Sequence, residues 1–202
     1  MGMKGNTKYD YEATAELKSA LRDNCSGEII KPILKKKADV NALGGSVHSL
    51  DTPLSIAIGK KSKDLVECLL ENNADPNLGY RGKYPIFCAI GTGCPEVVKC
   101  LVTHGASLNI RGKSNLVKAS VLETAITERN IEIIRVLLMG EETKYREEDL
   151  SCALFTAVEQ YTECVRTTLK TIQLLVDKKA DVKAKNEKGD TILRIAEREN
   201  YI

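Results

Sequence analysis

The sequence predicts an all-α solenoid of about five and a half helix-turn-helix repeats with hairpin-like finger loops. Two observations predict it. A short hairpin signature recurs at Ala38-Asp39-Val40-Asn41, Ala74-Asp75-Pro76-Asn77, Ala106-Ser107-Leu108-Asn109 and Ala180-Asp181-Val182-Lys183, and the first three copies start 36 and 32 residues apart. The gap of 74 residues to the last copy leaves room for one more unit, whose hairpin has decayed at residues 137–142. An apolar pattern at i, i+1, i+4, i+5 precedes each hairpin and draws one stripe along a helix. No such unit can bury its apolar faces alone, so neighbours must stack.

Residues 1–11 read as an N-terminal extension and 12–202 as one repeat domain, with units at about 12–47, 48–78, 79–114, 115–148, 149–185 and a partial 186–202. First helices carry Leu-x-x-Ala or its equivalent: Leu17/Ala20, Leu54/Ala57, Ile86/Ala89, Leu122/Ala125, Leu154/Ala157 and Leu193/Ala196. Alanine there lets two helices approach closely. Second helices carry Ile29/Ile30/Ile33/Leu34, Leu65/Val66/Leu69/Leu70, Val97/Val98/Leu101/Val102, Ile133/Ile134/Leu137/Leu138 and Thr171/Ile172/Leu175/Val176. Thr52 reads as an N-cap followed by Pro53 at the first helical position, and Pro85 and Pro95 open helices in the same way. Pro32, inside the second helix of the first unit, should remove a backbone hydrogen bond or kink the helix. The fifth unit has about six extra residues between its helices, within 159–169.

These residues resemble the ankyrin repeat. Asp51-Thr52-Pro53-Leu54-Ser55-Ile56-Ala57 is similar to its T-P-L-H-x-A start, and Leu69-Leu70-Glu71-Asn72-Asn73-Ala74-Asp75-Pro76-Asn77 to its L-L-x-x-G-A-D-x-N end. Asn186-Glu187-Lys188-Gly189-Asp190-Thr191 resembles its D-x-x-G-x-T segment. The resemblance implies a concave face lined by fingers and first helices, with second helices along the convex back. It also implies a tie between units through the T-P-L-H histidine. Here that position holds Ser55, Phe87, Glu123, Phe155 and Arg194. The expectation is therefore a less regular stack, held by apolar packing. In proteins of this kind hairpin asparagines can be hydroxylated, which makes Asn77 a candidate.

Composition excludes several classes. Thirty Lys and Arg balance 28 Asp and Glu, which argues against a globally basic nucleic-acid binder. Aromatics are 4% with no Trp, too few for a base-stacking surface. No apolar run reaches the roughly 18–20 residues of a membrane span. The seven cysteines lack C-x-x-C spacing, and the two histidines, His48 and His104, lie far apart, so no metal site is expected. Cys68 and Cys100 fall on equivalent apolar positions and read as packing residues, with Cys94 and Cys164 the more exposed thiols. Unpaired thiols point to an intracellular compartment, cytoplasmic or nuclear. No nucleophile, base and orienter can be assembled, and no glycine-rich phosphate loop occurs. No catalysis, cofactor or small-molecule substrate is expected.

The functional expectation is a protein-binding module or adaptor. The alternative is the regulatory or targeting region of a larger enzyme or channel. Contact positions implied by the resemblance are His48 and Asp51 on the first finger, and Tyr80, Arg81 and Lys83 on the second. The third supplies Arg111, Lys113 and Lys118, and the first helices add Lys60, Thr92 and Glu128. Residues 76–122 carry six cations and one anion, followed by an acidic loop at 141–149. Arg81, Lys83, Arg111, Lys113 and Lys118 should form a basic, solvent-facing patch that suits an acidic surface on the partner.

Overall fold

The computed structural model describes residues 9–23, 25–44, 51–79, 83–112, 119–139, 145–160 and 165–198. Among them the chain is all-helical. Five helix pairs follow one another: α1 (Tyr11–Arg22) with α2 (Gly27–Lys35), α3 (Pro53–Gly59) with α4 (Lys63–Glu71), α5 (Pro85–Thr92) with α6 (Pro95–Thr103), α7 (Val121–Thr127) with α8 (Ile131–Met139), and α9 (Glu147–Glu159) with α10 (Val165–Asp177). A last helix, α11 (Ile192–Arg198), stands without a described partner. First helices pack on first helices along the series from α1 through α3, α5, α7 and α9 to α11. Second helices pack in a parallel row from α2 through α4 and α6 to α8 and α10.

The stripes do the stacking. Leu65, Val66, Leu69 and Leu70 are all buried, as are Ile133, Ile134, Leu137 and Leu138. Leu17, Leu54, Ile86, Leu122 and Leu154 are buried on the first helices beside alanines that are buried as well. The outer units depart from this pattern. Ile29 in α2 and Val176 in α10 are exposed. The expected Leu193 is 65% exposed, and Ile195 is buried in its place. It packs with Phe155 and Val158 in a small apolar cluster separate from the main core.

Helix starts follow local chemistry. The Thr52 hydroxyl accepts from the Ser55 amide at 3.1 Å, with Pro53 behind it. Ser120 and Glu123 form a reciprocal capping box on α7. Asp10 caps α1 by accepting from the Glu12 and Ala13 amides. The acidic run Glu147, Glu148 and Asp149 is not a loop, as the sequence reading had it, but the first turn of α9. Carboxylates are favoured at a helix N-terminus, so α9 begins ahead of the position 149 assigned to the fifth unit. The extra length of that unit is partly taken up by α10, which runs 13 residues against nine in α4. Helix α2 continues through Pro32, whose ring lies exposed.

Units are also joined by polar contacts, which corrects the expectation of a purely apolar stack. The Asn41 amide donates to the Asn73 carbonyl at 3.0 Å, and its oxygen accepts from the Asp75 amide at 2.8 Å. Asn77 repeats the arrangement one unit on, with Gly105 at 3.0 Å and Ser107 at 2.7 Å. Each asparagine thus brackets the next hairpin. On the second-helix side, Asn130 donates to the Gly93 carbonyl at 3.1 Å.

Candidate partner-binding groove

Finger bases close by short backbone pairings. Gly44 pairs with Asp51, Arg111 with Ser120, and Lys185 with Thr191. These pairings set the fingers beside the first helices. Between α9 and the finger at 181–188 lies a cavity of about 560 Å³. Its walls carry Glu123, Glu147, Glu148, Glu159, Asp181 and Glu187, against Lys185 and Lys188. Its floor is Cys152, Phe155 and Ala184. A second cavity of about 760 Å³ lies at α1, lined by Tyr9, Tyr11, Lys18, Arg22, Asp10, Asp39 and Leu43. Tyr11 is 87% exposed there, and burial pulls the Lys18 ammonium below the usual lysine range. Charges balance in this second cavity, whereas the first is strongly acidic.

The expected contact residues fall into three groups. His48, Tyr80, Arg81, Lys113 and Lys118 lie outside the described residues, as does Cys164. Asp51 closes the first finger through its backbone. Lys83 and Glu128 are exposed, Glu128 as the C-cap of α7. Lys60 and Thr92 are engaged within the chain. The Lys60 ammonium donates to the Arg22 carbonyl at 2.9 Å, joining the ends of α3 and α1, and the Thr92 hydroxyl donates to the Ala89 carbonyl at 2.7 Å.

Arg111, exposed as a member of the expected basic patch, is also paired within the chain. Its guanidinium reaches Asp149 at 3.0 Å and Glu123 at 3.7 Å. Asp149 is only 2% exposed, so a buried carboxylate needs this partner. Arg146 supplies a second, with Nε at 2.9 Å. The guanidinium is therefore shared between the chain's own acids and solvent. Sequence reading missed Ser120 and Asp149 as organisers of this corner, although the Ser120-x-x-Glu123 spacing is a capping-box signal.

Burial pushes the thiols of Cys68, Cys88, Cys100 and Cys152 up from the ordinary range, and Cys68 and Cys100 are buried as packing residues. The Cys94 thiol donates to Glu96 at 3.3 Å. The exposed His104 bonds the Cys100 carbonyl through Nδ1 at 2.8 Å at the end of α6. Asn77, the hydroxylation candidate, has both side-chain atoms engaged in its bracket. Among the described residues no cluster of metal-binding side chains occurs, and no helix is long and apolar enough to cross a membrane.

Stacked helix pairs with finger hairpins define a helical-repeat solenoid of the kind that presents an extended binding surface. The ankyrin repeats family, in its three-copy form, matches residues 17–112 and 54–149, and the chain belongs to that family. Among solved structures, the chain is similar to EF0377, an ankyrin repeat protein, with TM-score 0.75 and 22% identity over 93% of each chain. It is also similar to the ankyrin repeat domain of Bcl-3, a member of the IkappaB protein family, with TM-score 0.69 and 19% identity over 97% of this chain and 82% of that one. At these identities the likeness is one of fold. Among curated protein sequences no match is found. Ankyrin repeats generally mediate protein–protein interaction.

Proposed function

We propose that the chain is a non-catalytic adaptor that binds a protein partner along the concave face formed by its first helices and fingers. One observation carries this reading: two large cavities among the described residues, at α1 and at α9, open where a first helix meets a finger. Partner surfaces seek such concave sites, since they let a segment be desolvated on several sides. An acidic contact on the partner would fall on Arg81, Lys83, Arg111, Lys113 and Lys118 of the second and third fingers. An intracellular location, cytoplasmic or nuclear, belongs to the same proposal. It is supported by the use of Cys68 and Cys100 as reduced packing residues.

The test begins with affinity capture and cross-linking mass spectrometry on the intact chain. Binding of the captured partner is then compared for Thr92→Lys with Glu128→Lys, on the first helices, and for Lys99→Glu, on a second helix. Loss of affinity in the first variant and retention in the second is the expected result. The reverse pattern would move the interface to the second-helix side and defeat the proposal.

A further inference from the structure

We propose that the cavity between α9 and the finger at 181–188 seats a basic linear segment of a protein partner, its arginine or lysine side chains lying with their stems on Cys152 and Phe155 and their charged heads at Glu148 at one end of α9 and at Glu159 at the other. The inference rests on the binding-module reading and adds the chemistry of the occupant.

Charge is the first argument. Six carboxylates and two ammonium groups line this cavity, and no described residue forms an ion pair with Glu147, Glu148, Glu159 or Glu187. Like charges crowded on one wall repel, and a cationic occupant relieves that repulsion. The two arginines at this corner are committed mainly to Asp149: Arg146 holds it with Nε at 2.9 Å. Arg111 is fixed on buried Asp149 at 3.0 Å and stands 3.7 Å from Glu123.

Helix direction is the second argument and is independent of the count. Glu147 and Glu148 occupy the first turn of α9, where a negative charge is favourable. Glu159 is the last residue of the same helix and is exposed. An anion there adds to the negative end of the helix dipole, so the position is unfavourable in the unoccupied chain. The corresponding end of α1 carries Arg22, the arrangement the dipole prefers. Glu159 and the carbonyl end of α9 together form a cation-seeking corner at the far rim of the cavity.

Shape is the third. The cavity is long enough to follow one face of α9 from Glu148 through Cys152 and Phe155 to Glu159, four residues at helical spacing. Its floor is apolar and its rim acidic. Long cationic side chains fit such a surface because their methylene stems cover apolar atoms while the head stays among carboxylates.

The probe is a short fluorescein-labelled peptide with an Arg-Leu-Arg core between glycine and serine flanks, titrated against the full chain by fluorescence anisotropy. A Glu-Leu-Glu peptide serves as its counterpart. The arginine peptide should bind, its affinity should fall as salt rises, and it should slow alkylation of Cys152 read on the Cys152 peptide by mass spectrometry. Glu148→Gln with Glu159→Gln should weaken binding by about tenfold, while Glu71→Gln, on a second helix, should leave it unchanged. The inference is overturned if neither peptide binds, if both bind alike, or if the double variant binds the arginine peptide as tightly as the parent. It is also overturned if calcium chloride alone, at matched ionic strength, protects Cys152 as well as the peptide does, since the cavity would then be an ion site. Any of these results leaves the binding-module reading intact as long as the Thr92 and Glu128 variants still lose the captured partner.

Discussion

Arg111 and Asp149, 38 residues apart in sequence, meet at 3.0 Å. The first sits at the base of the third finger and the second in the opening turn of α9, so one ion pair joins two units. Arg146 approaches the same carboxylate from its own helix start. Asp149 thus holds two arginines while almost fully removed from water. Replacing Arg111 with methionine keeps the stem and deletes the charge. Stability should fall by about 1–2 kcal/mol, less than the full cost of breaking a buried pair, because the guanidinium is half solvated and Arg146 remains. Urea denaturation of Arg111→Met beside Lys99→Met measures this, and equal midpoints would show that the pair contributes nothing.

The asparagine bracket gives a second expectation. Asn77→Ala removes one donor and one acceptor that clasp the next hairpin, and should lower stability by about 1–2 kcal/mol. The sharper readout is local. Hydrogen exchange at the Ser107 amide, which donates to Asn77 at 2.7 Å, should accelerate more than exchange in α8. Unchanged protection at Ser107 would mean that the bracket does not persist in solution.

Pro32 offers a gain. It lies in the interior of α2 with an exposed ring and no N–H to give. Pro32→Ala restores the donor and should raise stability by about 1–3 kcal/mol. A lowered melting temperature would imply that the proline is packed or needed in a way its exposure does not reveal.

The buried thiols set an alkaline limit. Desolvation raises Cys68 and Cys100 above the ordinary cysteine range, so the folded chain keeps protons that the unfolded chain releases. Their contribution is fully present below the unfolded thiol pKa of about 8.5 and is lost as pH rises through the folded values. Unfolding free energy measured from neutral to alkaline pH should therefore decline from about pH 8.5 upward. Cys68→Val with Cys100→Val should flatten that decline. An identical slope in parent and variant would assign it to other groups.

Much of the fold was legible because stacking leaves a periodic record. The stripe at Leu65, Val66, Leu69 and Leu70 is apolar for one reason, burial against both neighbours, and all four are buried. Leu193 carries the first-helix Leu-x-x-Ala signature, yet is exposed, because such a position is buried only where a neighbouring helix covers it. The Arg111 and Asp149 contact was illegible for another reason. Counting charges along the chain showed a cationic stretch and an acidic one, but not that the finger base folds the first onto the second. The asparagine brackets lay between these cases. The Asn in each of the first three hairpins was visible, but a side chain that reaches into the following unit leaves no mark on local spacing.

The small cluster of Ile195 with Phe155 and Val158 bears on how the array responds to force. Among the described helices α11 packs chiefly on α9, and it buries Ile195 outside the main core. In the hairpin before it the bracketing position holds Lys183, which has no acceptor to clasp a following backbone amide. A tether pulled at the α11 side should therefore meet its first yield there, at low load, and extend by one short helix. The units from α1 to α6, locked by shared stripes and two asparagine clasps, should then resist until a much higher load. A linear array loaded from that side would peel unit by unit rather than rupture as one body.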